Sequence, residues 1–325
     1  MAANEVFNNS DLKQYILSFI YSKNYILRND KLEILKNHKN KMDLILLDET
    51  VDLAAEYGAI KIVKWFYEKL KIFGTEQIIE NSITSKNINL INYILSNSLD
   101  ICTPFALIAA VETNLYEIIE IVILKFSHLF FKDVWEKSMI KSITNKNLLI
   151  LSYLYRIYIE KFPEMKNKLP SDFNIAAVSS SYRPIIDWVF ERSSSTDINE
   201  LNIAAKNNDL QLLSWLYKNR IYKDTIFYND NPHIFFEINL TRRTLYYGVG
   251  SNNIEIIKFI LYNDNSKISK KVIKESLALS CKQANLHIFE FLDNYFQPDK
   301  KIITKFCLPE AVNSNCFDIT NYIFN

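Results

Sequence analysis

The segment Gly58-Ala59-Ile60-Lys61-Ile62-Val63-Lys64-Trp65-Phe66 decides the fold, because its frame returns along most of the chain. With Trp65 as reference, the frame recurs at Tyr93, Ile121, Tyr153, Trp188, Trp215, Phe259, Phe291 and Tyr322, at intervals of 28, 28, 32, 35, 27, 44, 32 and 31 residues. Self-similarity at a period of roughly 20 to 50 residues is the signature of a repeat architecture and settles the whole chain before any local reading does.

Three columns of residues show what each unit is. Three positions before the reference stand Ile62, Leu90, Ile118, Ile150, Ile185, Leu212, Ile256, Ile288 and Ile319, always branched and aliphatic. One position after it stand Phe66, Ile94, Val122, Leu154, Val189, Leu216, Ile260, Leu292 and Ile323. Apolar residues at these separations form one stripe of a helix. Eleven positions before the reference the side chain is always small: Ala54, Ser82, Ala110, Ser142, Ala177, Ala204, Gly248, Ser280 and Ala311. A position that stays small among variable neighbours marks two helices in close approach, so a first helix precedes the second and packs on it. Seven positions before the reference, Gly58, Asn114, Asn208, Asn252 and Asn315 occupy five of nine units. Gly and Asn readily take the left-handed conformation that ends a helix, which places a tight turn between the two. Neither helix of such a pair buries its apolar faces alone, so pairs stack. The expected architecture is an all-α array of about nine helix-turn-helix units spanning residues 48–325, behind an N-terminal helical cap at 1–47.

These units resemble the ankyrin repeat. The likeness is clearest in Ala204-Ala205-Lys206-Asn207-Asn208-Asp209-Leu210-Gln211-Leu212-Leu213 and in Asn252-Asn253-Ile254-Glu255-Ile256-Ile257-Lys258-Phe259-Ile260-Leu261, which follow parts of the family's Ala-Ala, Gly-His and Leu-Glu-Val-Val-Lys-Leu-Leu pattern. Thr103-Pro104-Phe105-Ala106 is similar to the family's Thr-Pro-Leu-His helix opening, displaced by a residue or two. Asn in place of most turn glycines, aromatic residues at the reference position and a drifting unit length depart from the family pattern and bear on its β-hairpin fingers more than on its helices. The combination is similar to the divergent ankyrin repeats of giant amoeba-infecting viruses and of social amoebae. The resemblance implies an ankyrin-like solenoid that acts as a non-catalytic protein-protein interaction scaffold.

Ahead of the array, Ser10-Asp11-Leu12-Lys13-Gln14-Tyr15-Ile16-Leu17-Ser18-Phe19-Ile20 opens on a helix cap and sets Leu12, Ile16, Phe19 and Ile20 on one face. It resembles the first helix of an F-box, without that module's Leu-Pro opening or its later Trp-containing part. That resemblance implies an alternative: a substrate receptor whose Leu12, Ile16, Phe19 and Ile20 meet a ubiquitin-ligase adaptor while the array holds the target. The bland reading of the same residues is a helix sealing the first unit.

The 325-residue chain is 49% hydrophobic and 23% charged, within the range of folded globular proteins. Its 38 basic and 37 acidic side chains are scattered, so the sequence displays no phosphate-seeking basic block and no nucleic-acid partner is expected. Neither a leader nor an apolar run of about 20 residues is visible, which points away from membranes and toward the cytoplasm, the host's if the source is viral. Cys102, Cys281, Cys307 and Cys316 lack a paired spacing and read as reduced thiols. His38, His128, His233 and His287 are too far apart in sequence for a metal motif, and Gly248-Val249-Gly250 has neither the strand nor the third glycine of a phosphate loop, so no cofactor is expected.

Three further expectations concern surfaces. The reference aromatics, Trp65, Trp188, Trp215 and Phe259 among them, read as core because they keep one helical phase. The longest connector, an insertion at about 221–243, carries Tyr222, Phe227, Tyr228, Phe235, Phe236, Arg242 and Arg243, an aromatic and arginine composition typical of interfaces, which makes them candidate partner-binding residues. At the other extreme, Ile319 and Phe324 are expected to lie uncovered on the last helix, where self-association, a partner or a folded-back segment would shield them.

Overall fold

The computed structural model describes residues 27–29, 48–97, 102–193, 198–218, 242–263 and 268–324. Leu12, Ile16, Phe19 and Ile20, together with Tyr222, Phe227, Tyr228, Phe235 and Phe236, lie outside the described residues. All regular elements described are helices; the one β feature is an isolated bridge between Leu169 and Ser193. No helix among the described residues is long and apolar enough to cross a membrane.

The chain divides into two compact units, Met1–Pro163 and Glu164–Asn325. In the first, four helix pairs follow one another: α1 (Asp48–Glu56) with α2 (Ile60–Trp65), α3 (Ile78–Thr84) with α4 (Ile88–Asn97), α5 (Ala106–Thr113) with α6 (Tyr116–Phe126), and α7 (Lys132–Thr144) with α8 (Leu148–Lys161). Each second helix packs on its own first helix, and first helices pack in series, α1 on α3, α3 on α5 and α5 on α7.

The second unit holds five pairs: α9 (Ser171–Ser180) with α10 (Arg183–Phe190), α11 (Ile198–Lys206) with α12 (210–218), α13 (Arg242–Gly250) with α14 (Ile254–Asn263), α15 (Lys270–Lys282) with α16 (Leu286–Phe296), and α17 with α18 (Phe317–Phe324). The helix α17 runs from Lys300–Ile302 through a π turn at Ile303–Cys307 into Leu308–Asn313. Pro309 accounts for that π turn, since it has no N–H to give and its ring crowds the carbonyl four residues back. First helices again pack in series, α9 on α11, α11 on α13, α13 on α15 and α15 on α17. Arg242 and Arg243 are the first two residues of α13, and Arg243 is exposed.

The core follows the columns. All nine residues three before the reference are at most 2% exposed, and so are the first eight of the column one after it. Ile323, ninth in that column, is half-buried. Each fully buried Ile or Leu contributes about 1.5–3 kcal/mol, so these two columns anchor every pair. All nine members of the small column are buried too. Gly248 shows why: a Cβ there would stand 2.8 Å from Ile260 Cδ1 and 3.2 Å from Ile256 Cγ2, both on the second helix of the same pair. Where the column carries serine, the hydroxyl bonds back to its own helix, Ser82 Oγ to Ile79 O at 2.7 Å, Ser142 Oγ to Met139 O at 2.6 Å and Ser280 Oγ to Leu277 O at 2.7 Å. The polar atom is thereby satisfied without widening the contact.

Every turn has one geometry. The residue seven before the reference is left-handed in all nine pairs, including Lys86 (φ 56), Lys146 (φ 56), Ser181 (φ 53) and Ala284 (φ 55), which lack the Gly or Asn preference for it. In each pair its N–H donates to the carbonyl three residues back at 2.9–3.2 Å. The next N–H reaches the small-column carbonyl in five pairs, Ala59 to Ala54, Asn147 to Ser142, Asp209 to Ala204, Asn285 to Ser280 and Cys316 to Ala311, whereas Asn87, Leu115 and Tyr182 donate to the hydroxyls of Ser85, Thr113 and Ser180. Where both bonds form they make the Schellman motif that closes a helix.

Ile319 corrects the expectation of an uncovered last helix: it is fully buried, because its column faces the first helix of its own pair. Phe324 is 71% exposed, as are Val312 and Phe317 to similar degrees.

Candidate interaction surface

Three tyrosines and Asp, Glu, Asn and Arg side chains organise the surface along the second helices. The reference residues stand here, and all nine are half-buried where the sequence pattern suggested core. Their packing explains the difference. Five reference rings, Tyr93, Tyr153, Trp215, Phe259 and Tyr322, meet an aromatic ring of the pair before them. Tyr67 and Tyr93 rings lie 5.8 Å apart, Tyr116 and Tyr153 4.9 Å, Phe190 and Trp215 5.3 Å, Tyr217 and Phe259 5.7 Å, and Phe289 and Tyr322 5.7 Å.

Polar groups finish these contacts. Tyr93 Oη donates to Glu68 Oε1 at 3.3 Å and Tyr322 Oη to Asp293 Oδ2 at 3.1 Å. Burial pushes the Tyr93, Tyr153 and Tyr322 phenols above their usual range, and the adjacent Glu68, Tyr116 and Asp293 push the same way. They therefore remain protonated donors at neutral pH. Cations lie over several rings: Lys64 on Tyr93 at 4.9 Å, Arg183 on Trp215 at 4.4 Å, Arg192 on Trp188 at 4.3 Å and Arg156 on Tyr153 at 5.5 Å.

A second polar series runs beneath, on the residue six before the reference. Asn87, Asn147, Asp209, Asn253 and Asn285 each accept a backbone N–H of the second helix they precede. Four of the five also reach the turn of the preceding pair, Asn87 Nδ2 to Gly58 O at 3.1 Å, Asn147 Nδ2 to Asn114 Oδ1 at 2.9 Å, Asn253 Nδ2 to Asn208 Oδ1 at 2.7 Å and Asn285 Nδ2 to Asn252 Oδ1 at 2.6 Å. This column escaped the sequence reading, which used Asn only as a turn residue; Asn or Asp immediately ahead of the apolar stripe in five of the nine units was the available signal.

In the first unit the surface opens into a cleft of about 560 Å³ between α6 and α8, floored by the Asn114–Asn147 bond and lined by Tyr116, Leu149, Ser152, Tyr153 and Arg156. Leu149 is 81% exposed and Tyr116 45%. No acidic side chain pairs with the Arg156 guanidinium among the described residues; its company is the Tyr153 ring.

Elsewhere the chemistry is quiet. His128 and His287 are exposed, and no group of three His, Cys, Asp or Glu among the described residues is placed to hold a metal. All four cysteines are free thiols. Cys281 and Cys307, 26 positions apart in sequence, meet in the core between α15 and α17, and Cys281 resists ionisation because its thiol is hydrogen-bonded to the Cys307 thiol and buried. Burial pushes the Cys102 thiol up to about 12. Gly248 and Gly250 lie within helix α13 and form no phosphate loop.

No protein-family model matches the chain, and no characterised protein matches it in sequence.

Proposed function

We propose that this chain is a non-catalytic protein-interaction scaffold whose helix pairs stack as an ankyrin-type solenoid. The support for ankyrin-type stacking is the nine-fold repetition of a small residue at the helix contact and a left-handed turn, joined in five pairs by a capping Asn or Asp that in four of them also reaches the preceding pair. These positions stay fixed while the exposed ones vary, which suits a rigid frame carrying an interchangeable surface.

The observation that carries the interaction reading is the cleft around Leu149. A leucine four-fifths exposed, beside two tyrosines and an arginine that has no acidic partner among the described residues, is the composition of an interaction hot spot. Tyr116 and Leu149 accept an apolar side chain, the Arg156 guanidinium supplies a charge-assisted donor, and the rigid floor limits the entropy lost on binding. The partner is a protein presenting an apolar side chain next to a carboxylate or carbonyl.

Affinity capture from cells with the wild-type chain and Leu149→Glu, compared side by side, tests this. The expected result is one or more proteins held by wild type and lost from the variant, with equal melting midpoints for the two baits. Identical captures would remove the cleft from the interaction surface.

A further inference from the structure

Three consecutive first helices begin on a pair of basic residues: α13 on Arg242-Arg243, α15 on Lys270-Lys271 and α17 on Lys300-Lys301. Two contacts fix α15 and α17 side by side and parallel. Near their middles Lys274 Nζ lies 3.3 Å from the centre of the Phe306 ring, and at their C-terminal ends Ser314 Oγ donates to Cys281 O at 2.8 Å. The dibasic steps are therefore at the same edge, with Lys274 and Lys305 one turn further along. Packing of α13 on α15 continues the row to Arg243.

These charges are not there to hold the helices. Acidic side chains suit the first turn of a helix and basic ones oppose its dipole, yet none of the three helices has an acid in its first turn. In the first unit α1 and α7 follow the ordinary rule with Asp48, Glu49 and Asp133. Lys270, Lys271, Lys300, Lys301 and Lys305 are exposed, and no ion pair engages them among the described residues. Nearby, Asp299 Oδ1 is occupied as the cap of α17, accepting from Lys301 N at 2.9 Å, and Glu275 is the other acid on these turns. In a chain whose net charge is only +1, this is a local concentration that the scattered sequence hides, because its parts are about one repeat apart.

We propose that this row is a docking surface for an acidic segment of a partner protein, separate from the Leu149 cleft. Neighbouring helices stand about 8–10 Å apart, and an extended peptide rises about 3.3 Å per residue, so a carboxylate at every third position meets successive dibasic steps. Two of the three steps are lysine, whose compact heads are point charges without the bidentate fork that Arg243, in the arginine step, can offer a carboxylate. Phe306 is half-buried under Lys274, and the exposed aromatic at this level among the described residues is Tyr246 on α13, a single ring where a base-stacking platform uses several in succession. Among the described residues Tyr246 is the exposed large apolar side chain at this level, too little apolar area for insertion into a lipid surface.

The test uses the full chain and a fluorescein-labelled oligo-glutamate peptide, followed by anisotropy at increasing salt, with random-sequence duplex DNA and phosphatidylserine vesicles as competing probes. Replacing Lys270, Lys271, Lys300 and Lys301 with Gln should weaken peptide binding at least about tenfold and leave the melting midpoint unchanged or higher. Replacing Lys69, Lys132, Lys137 and Lys161 with Gln removes the same charge from the first unit and should leave binding nearly intact. Absence of peptide binding at low salt, equal losses in the two variants, or tighter binding of DNA or vesicles than of peptide would each overturn the proposal.

Discussion

Asn285 ties Asn252 to the helix that Asn285 itself begins: its Nδ2 donates to Asn252 Oδ1 at 2.6 Å while its Oδ1 accepts from Ile288 N at 3.0 Å. Asn252 is the left-handed turn residue of the preceding pair, with φ 61. One carboxamide thus caps a helix and links two pairs, using both the donor and the acceptor that only an amide side chain of this length supplies.

Removing that side chain with Asn285→Ala should cost about 1–2 kcal/mol, the usual loss of a helix cap plus a partly exposed hydrogen bond. Asn285→Asp keeps the cap but replaces the donor with a second acceptor facing Asn252, so it should recover only part of the loss. Urea unfolding of the three proteins checks this. If Asp restores full stability, the link between pairs contributes nothing.

The nine turns share one backbone, although only five carry the residues that favour it. Gly58, Asn114, Asn208, Asn252 and Asn315 made the turn legible; Lys146 and Ala284 are held left-handed by the Schellman bonds against their own preference, and Lys86 and Ser181 by the first of those bonds with a serine hydroxyl, Ser85 or Ser180, taking the next N–H. Helix stripes and the small column were readable because burial tolerates only apolar or small side chains there. The reference rings were misplaced because a fixed helical phase shows that a position faces a neighbour, not whether that neighbour covers it completely. Ile319 was misread from its place near the end of the sequence, when its column had already put it against α17. The Leu149 cleft and the basic row could not be read at all, since each gathers residues from different repeats.

Strain at Ala284 should be relieved by substitution. The left-handed conformation costs a non-glycine residue on the order of 1 kcal/mol, and Ala284 is exposed, so no packing is lost. Ala284→Gly removes that cost but loosens the unfolded chain, whereas Ala284→Asn lowers it without that penalty. Both should raise stability, Asn by about 0.5 kcal/mol, and a lower melting midpoint for both would mean that the turn stores no strain.

Asp52 links pH to stability in the first pair. Its carboxylate is buried and accepts from Thr75 N at 3.0 Å and from Thr75 Oγ1 at 2.6 Å. Desolvation raises its pKa, with Asp48 and Glu49 adding to the rise, and the Thr75 bonds offset only part of it. The folded state therefore holds this proton longer than the unfolded state does. Stability from this group is present below the ordinary carboxylate range and is lost as pH rises through the raised value. Asp52→Asn should flatten that decline. Identical pH slopes for wild type and variant in urea unfolding would show that Asp52 titrates normally.

Gly248 offers the sharpest test of the small column. Alanine there gains about 1 kcal/mol of helix propensity, but its Cβ would meet Ile260 Cδ1 at 2.8 Å and Ile256 Cγ2 at 3.2 Å. Overpacking costs about 1–3 kcal/mol, so Gly248→Ala should be net destabilising or at best neutral, unlike the same change on an exposed helix face. Ile260→Val deletes the atom responsible for the closest approach and by itself costs about 0.5–1.5 kcal/mol. Combined, the two changes relieve each other, because the new methyl enters the space that Cδ1 vacates. The double variant should be more stable than the sum of the singles by about 0.5–1 kcal/mol, a coupling that denaturant unfolding resolves. Strict additivity would mean that α13 and α14 separate to admit the methyl, and that a small residue at this position is not what sets their distance.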